Sequence, residues 1–288
     1  MFNRRNFLKN SLFLASGLSL NPLAWGQSVE ELNQIIANFI YQLRLEGRIS
    51  ADEKTAWAVS DISKGQFLAK INAENPLQAA SMVKPLVIQA YFFLNARNPQ
   101  KYPISQAVRD DMYLMIVKSK NPATNRMISR CGGASSVQWI LRNNAPKIFQ
   151  NISIVESIPE GGKTYRNKAS AGDYTRFLHA LWHNKLPVSA LLMEYMGMKN
   201  HDRISVNTQY IPPHLEVYDK TGSTSMLCGD FGIINYQSHN GLNYPYSFTG
   251  IIQKSRPAQN YTSLITKRSQ VMRDISDLVY LYIDRHNG

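Results

Sequence analysis

The segment Ser81-Met82-Val83-Lys84 sets an alcohol and an amine three residues apart. A serine hydroxyl is a weak nucleophile until a base takes its proton. At a helix start, side chains three apart share one face, so Lys84 can serve the space around Ser81. Burial and neighbouring cations lower a lysine pKa, and the neutral amine is then a usable base. Pro85 fits a helix that opens near Ser81, because first-turn N–H groups have no partner inside the helix. No other serine in the chain has a lysine at this offset.

Two further groups complete a candidate chemistry. Ser119-Lys120-Asn121 offers a second hydroxyl, able to relay a proton to a departing nitrogen, and an amide able to hold a substrate carbonyl. Lys220-Thr221-Gly222, followed by Ser223, ends an apolar stretch that starts at Leu215. A cation and a hydroxyl there can bind a carboxylate. Gly222 lets a substrate lie close to the strand, and strand N–H groups can face a developing oxyanion. Such chemistry is acyl transfer through a serine ester, and no cofactor is expected.

The elements that must position these groups follow from hydrophobic period. Leu32, Ile35, Ile36, Phe39 and Ile40 recur at helical steps, which predicts a helix over Val29 to Leu45. Segments 56–60 and 66–71 read as strands joined by a turn at Asp61 to Gly65, a hairpin. Pro85 to Leu94 is apolar all round, the mark of a buried helix. Ser105 to Asn143 and Asp173 to Trp182 are helical by pattern, and Gly161-Gly162 marks a loop. Strands are expected at 215–219, 231–236 and 246–252, and a closing helix over Ser269 to Tyr282. Both chain ends thus contribute to one sheet, with a helical insertion between them.

Taken in order, the three motifs resemble the set carried by class A β-lactamases and penicillin-binding proteins: Ser-x-x-Lys, Ser-Asp-Asn and Lys-Thr-Gly. The resemblance extends over nearly all of the chain after its first residues. It implies an α+β fold, an antiparallel sheet flanked by helices plus a helical subdomain. It further implies that Ser81 is acylated, Lys84 takes its proton and Ser119 returns a proton to the leaving nitrogen. Asn121 would orient the acyl amide, Lys220 and Thr221 would recognise a carboxylate, and the N–H groups of Ser81 and Ser223 would form the oxyanion hole.

The chain also departs from that family. Class A enzymes carry Glu-x-x-Leu-Asn on a loop that positions the hydrolytic water. Here the corresponding stretch holds Glu156 and Glu160, neither followed by Leu-Asn. Both stand as candidates for the deacylation base, with an exposed loop carboxylate the plainer reading of each. The interval from Ser81 to Ser119 is short for class A, which implies a more open cleft. Lys120 replaces the usual aspartate, and no arginine follows soon after Lys-Thr-Gly, where many class A enzymes place one; Asp230 is nearby instead.

Composition bounds the remaining choices. Over 288 residues the formal net charge is +12. Residues Asn3 to Lys9 resemble a twin-arginine export signal, followed by a short apolar run and a small-x-small site at Ala24-Trp25-Gly26. That predicts a signal peptide over 1–26 and a catalytic domain over 27–288, in the periplasm or secreted. Its translocase and a signal peptidase would be transient partners, with no membrane span after cleavage. Losing Arg4, Arg5 and Lys9 brings the charge to about +9. No dense basic run with interleaved aromatics supports nucleic-acid binding.

Cys131 and Cys228 form no Cys-x-x-Cys motif, and a disulfide or two buried thiols both fit. His179 and His183, four apart, lack a third metal ligand and read as structural; Gly161-Gly162-Lys163-Thr164 reads as a turn rather than a phosphate loop. The expected activity is β-lactam hydrolysis through Ser81. A slowly deacylating peptidoglycan carboxypeptidase that takes a stem peptide, and a non-catalytic module binding cell-wall fragments or β-lactams, are the alternatives.

Overall fold

The computed structural model describes residues 25–159, 165–238 and 240–287. Residues 1–24 of the expected export signal, Glu160 and Gly161-Gly162-Lys163-Thr164 lie outside these residues. The described elements begin with α1 (Trp25–Leu45), β1 (Lys54–Asp61), β2 (Gln66–Ile71) and β3 (Leu77–Gln78). A single 3-10 turn, Ala80–Met82, leads into α2 (Val83–Arg97). Then come α3 (Gln106–Ile116), α4 (Asn121–Arg130), α5 (Ala134–Asn144), β4 (Lys168–Ala169), α6 (Ala171–Trp182) and α7 (Ser189–Met196). The chain closes through β5 (Glu216–Thr224), β6 (Leu227–Gln237), β7 (Asn243–Gln253) and α8 (Tyr261–Asn287).

Five strands form an antiparallel sheet in the order β2-β1-β7-β6-β5. The N-terminal hairpin joins the C-terminal strands through β1 and β7, as in the pairing of Thr55 with Ile252. Strand side chains alternate between faces. Accordingly Ala56 and Ala58 enter a core shared with α2 to α7, while Trp57 and Val59 enter a second core under α1 and α8. On β6, Phe231 and Ile233 join the first core and Cys228, Ile234 and Tyr236 the second. The sheet is therefore buried on both faces, and the helices divide into a layer behind it and a subdomain in front. This is the α+β arrangement expected from the motif resemblance.

The helical run expected over 105–143 is three helices, not one. Ser119 adopts φ 52° between α3 and α4, and Gly132 and Gly133 adopt φ 88° and 99° between α4 and α5. A left-handed backbone cannot continue a right-handed helix. The helix after Ser81 also starts differently from its expected form. Ser81 sits in the 3-10 turn, and Pro85 is the third residue of α2, where its missing N–H goes unneeded.

Candidate active site

The turn that carries Ser81 is wedged between α2 and the sheet. Ala80, just before Ser81, is held at φ 45°, and Ser119 at φ 52°. Left-handed backbone at residues other than glycine is strained, and such strain collects at functional sites. What holds the turn is close packing. A methyl on Gly222 would lie 2.9 Å from Met82 Cγ and 3.1 Å from both Ala79 O and Met82 N. A methyl on Gly229 would lie 2.6 Å from Met82 Cε. Met82 is thus gripped by glycines of β5 and β6, which fixes Ser81 beside the Lys-Thr-Gly strand. Arg203 secures that strand from below, donating from Nη1 to Gly229 O at 2.7 Å and to Gly222 O at 3.3 Å.

Lys84 is wholly buried. Its Nζ donates to Ser119 O at 2.5 Å, Ser119 Oγ at 3.0 Å and Asn121 Oδ1 at 3.1 Å. Burial, then the nearby Lys220 cation, push its pKa from 10.5 down to about 7. Among the described residues no hydrogen bond joins Lys84 Nζ to Ser81 Oγ; the lysine is anchored on the second motif. The strained turn at Ser119 makes this possible, since it aims both carbonyl and hydroxyl at Nζ. Asn121 and Pro122 open α4, with Pro122 in a first-turn position that tolerates it. Lys120 is exposed.

Lys220 is buried on β5, and burial lowers its pKa while Asp219 and Asp230 oppose that shift. Thr221 and Ser223 are half-buried. Ser223 Oγ lies 2.9 Å from the hydroxyl of Tyr261, at the start of α8. The three motifs therefore meet where the helical subdomain faces the edge strand. The arrangement offers an alcohol, a base poised near neutrality, a second hydroxyl, an amide and a buried cation. That set is suited to acyl transfer.

The loop beside Asn121 is organised differently from its expectation. Glu156 is folded into the loop: Oε1 accepts from Tyr165 N and Arg166 N, both at 3.0 Å, and Oε2 from Arg166 Nε at 2.6 Å. From this loop, Ile158, buried to 3 % exposure, and Pro159 share a groove with Asn121. Asn125, one helical turn past Asn121, clasps the backbone of Ile158. Its Nδ2 donates to Ile158 O at 2.7 Å, and Ile158 N donates to its Oδ1 at 2.8 Å. The groove, about 870 Å³, continues over Arg126 and Arg130, which both pair with Asp111.

Asn125, Ile158, Met82 and Tyr261 were not singled out for the site by sequence. No local pattern marks them, because each acts through contacts made by the fold. His179 and His183 lie outside the site, their rings 4.4 Å apart on α6. Among the described residues no group of three or more His, Cys, Asp or Glu could hold a metal ion.

The Beta-lactamase enzyme family matches residues 97–283, a stretch that contains Ser119, Asn121 and Lys220 and begins after Ser81 and Lys84. No curated protein matches the chain. Among solved structures, a representative class A β-lactamase from Bacteroides cellulosilyticus superposes with a TM-score of 0.70 at 17% identity, covering 88% of this chain and 99% of that one. The TLA-1 extended-spectrum β-lactamase superposes with a TM-score of 0.70 at 16% identity, covering 89% and 99%. A mutant of PBP-A, solved as its acyl-enzyme complex with penicillin G, gives 0.67 at 17% identity, covering 91% and 97%. At these identities the likeness establishes the fold, and the family match, which spans more than half the sequence, establishes that the chain belongs to the beta-lactamase enzyme family.

Proposed function

We propose that the protein is a serine acyl-transfer enzyme that opens β-lactam-type amides through an ester on Ser81 and releases the acyl group slowly. The observation that carries this is Lys84, buried, lowered to about 7 and bound to both Ser119 and Asn121. At neutral pH much of it is a free amine. Ser81 Oγ attacks the carbonyl while its proton passes to Lys84 Nζ. The oxygen of the tetrahedral intermediate is received by the N–H groups of Ser81 and Ser223. The C–N bond then breaks, Ser119 gives its proton to the nitrogen, and Lys84 restores the Ser119 proton. Lys220 and Thr221 hold the substrate carboxylate, and Asn121 holds the acyl amide.

Slow release follows from the loop. Hydrolysis of the ester needs a base to activate water. Both Glu156 oxygens are committed to Tyr165 and Arg166, and the described part of this loop brings the apolar Ile158 and Pro159 to the groove that Asn121 lines. Among the described residues this leaves Lys84 to serve both halves of the reaction. This favours a penicillin-binding enzyme, with a peptidoglycan stem peptide as its own substrate, over a fast β-lactamase. We further infer export through the twin-arginine route, removal of residues 1–26 and residence of the domain 27–288 in the bacterial envelope.

The test is intact mass against time with benzylpenicillin. A persistent adduct, absent in Ser81→Ala, is expected. A transient adduct with fast product would show a β-lactamase instead. No adduct at all, with Ser81→Ala identical, would overturn the acyl-enzyme reading for this substrate class.

A further inference from the structure

Two buried acids flank Lys220 in the β5–β6 ladder, their side chains on the opposite face of the sheet from its own. Asp219 pairs with Gly232 and Asp230 with Thr221, so the acids are diagonal neighbours on one face. Gly232 makes the room: a methyl there would lie 2.8 Å from Asp219 Cβ and 2.7 Å from Tyr218 O. Each acid has one oxygen with a fixed donor. Asn200 Nδ2 donates to Asp219 Oδ1 at 2.8 Å, and Arg203 N donates to Asp230 Oδ2 at 2.7 Å. The other two oxygens, Asp219 Oδ2 and Asp230 Oδ1, are buried with no hydrogen-bond partner among the described residues, and the two carboxyls act on each other.

Two facing ionised acceptors in a buried site repel and leave both oxygens unsatisfied. One proton between them removes both penalties. Charge leads to the same count. The groups that act on one another here are Asp202, Asp219 and Asp230 against Arg203 and Lys220, with Lys84, which faces Lys220, counted as its free amine. With every acid ionised the set carries one excess negative charge, and a single proton cancels it. Asp202 is occupied elsewhere, accepting from the N–H groups of Ile204, Ser205 and Val206.

We propose that Asp219 and Asp230 share one proton as an acid–carboxylate pair, and that the single negative charge they keep holds Lys220 as an ammonium ready for an anionic substrate group. The second half rests on the role assigned to Lys220 above. Burial, reinforced by the neighbouring carboxyls, raises the pKa of both acids, in agreement with a retained proton. Burial alone would drive Lys220 towards the neutral amine, and the pair's charge opposes this. Asp219 and Asp230 are positioning residues, acting through Lys220.

Two measurements test the proposal. An unfolded aspartate is ionised above about pH 4, so the shared proton is taken up on folding. Folding should therefore weaken as pH rises. Between about pH 5 and pH 7 the folding constant of the native chain should fall tenfold more per pH unit than that of Asp230→Asn, which carries a fixed N–H in place of the proton. Urea unfolding reads this with no substrate present, and Asp219→Asn serves if Asp230→Asn does not fold. Equal slopes overturn the shared proton. The second measurement is the acylation rate with benzylpenicillin and with its methyl ester. Asp219→Asn/Asp230→Asn should lose at least tenfold more than the product of the two single losses, for the free acid only. A double variant that loses only that product, or loses it equally with the ester, overturns the coupling to Lys220. If the native chain forms no adduct, the reading of Lys220 falls while the proton count still stands or fails on unfolding alone.

Discussion

Lys84 is where the chemistry concentrates. Its three acceptors are supplied by Ser119 and Asn121, so the second motif holds the proposed base as well as facing the proposed substrate position. Its lowered pKa has a definite sign in activity. Below about pH 7 the ammonium has no lone pair to accept the Ser81 proton. The rate of acylation should therefore rise about tenfold per pH unit up to that value and level off above it. A stopped-flow pH profile with a chromogenic cephalosporin checks this, and a limb centred near pH 10 would contradict it. Gly222 is a second single-atom dependence. Gly222→Ala forces a methyl against Met82 and Ala79 O, and overpacking of this kind costs about 1–3 kcal/mol. Acylation should fall by more than tenfold, because the turn that carries Ser81 is what must shift; thermal unfolding and adduct formation together measure it. The motif residues could be picked out from spacing alone. The roles of Met82, Ile158 and Asp219 could not, since each depends on a neighbour far along the chain.

The elements show why some boundaries were readable and others were not. The hairpin, the buried α2 and the closing helix follow hydrophobic period, which local sequence carries. The breaks inside 105–143 follow instead from left-handed backbone at Ser119 and at two glycines. Nothing in hydrophobic pattern announces the turn at Ser119, which is held in place by the lysine it serves. The α6 start is a reciprocal cap, Ser170 with Asp173, and Asp173 also receives Gln150 N, Asn151 N and Arg176. Sequence reading placed Asp173 near that start without its partners. Asn125 joins two elements, α4 and the loop at Ile158. Asn125→Ala removes both bonds and leaves a buried N–H and carbonyl unpaired, a loss of about 1–3 kcal/mol. The loop should then be cleaved by trypsin at Arg166 well before the native chain is, and limited proteolysis followed by mass spectrometry reads that directly.

At the scale of the molecule, the sheet separates two cores and the cysteines fall on opposite sides of it. Cys131 packs with the helical layer and Cys228 with α1 and α8, and both are free thiols. Burial pushes the Cys131 thiol up to about 12. Reductant should leave the melting temperature unchanged, and maleimide should label neither cysteine until the chain is unfolded. A loss of stability in dithiothreitol would contradict that assignment. Two cysteines in one sequence left pairing open, because which face each residue takes is decided only when β6 finds its register.

The pairing of β1 with β7 also orders events in time. Thr55 meets Ile252, so the sheet against which Met82 and Ser81 are set cannot be completed until almost the whole polypeptide has been made. Contacts of such long sequence separation form late and slowly. On the proposed activity, a growing chain on the ribosome therefore carries all of Ser81, Lys84 and Ser119 while still inert towards penicillin. Reactivity should switch on only after β7 emerges, and stalled nascent chains of increasing length, probed with a fluorescent penicillin, would show that step.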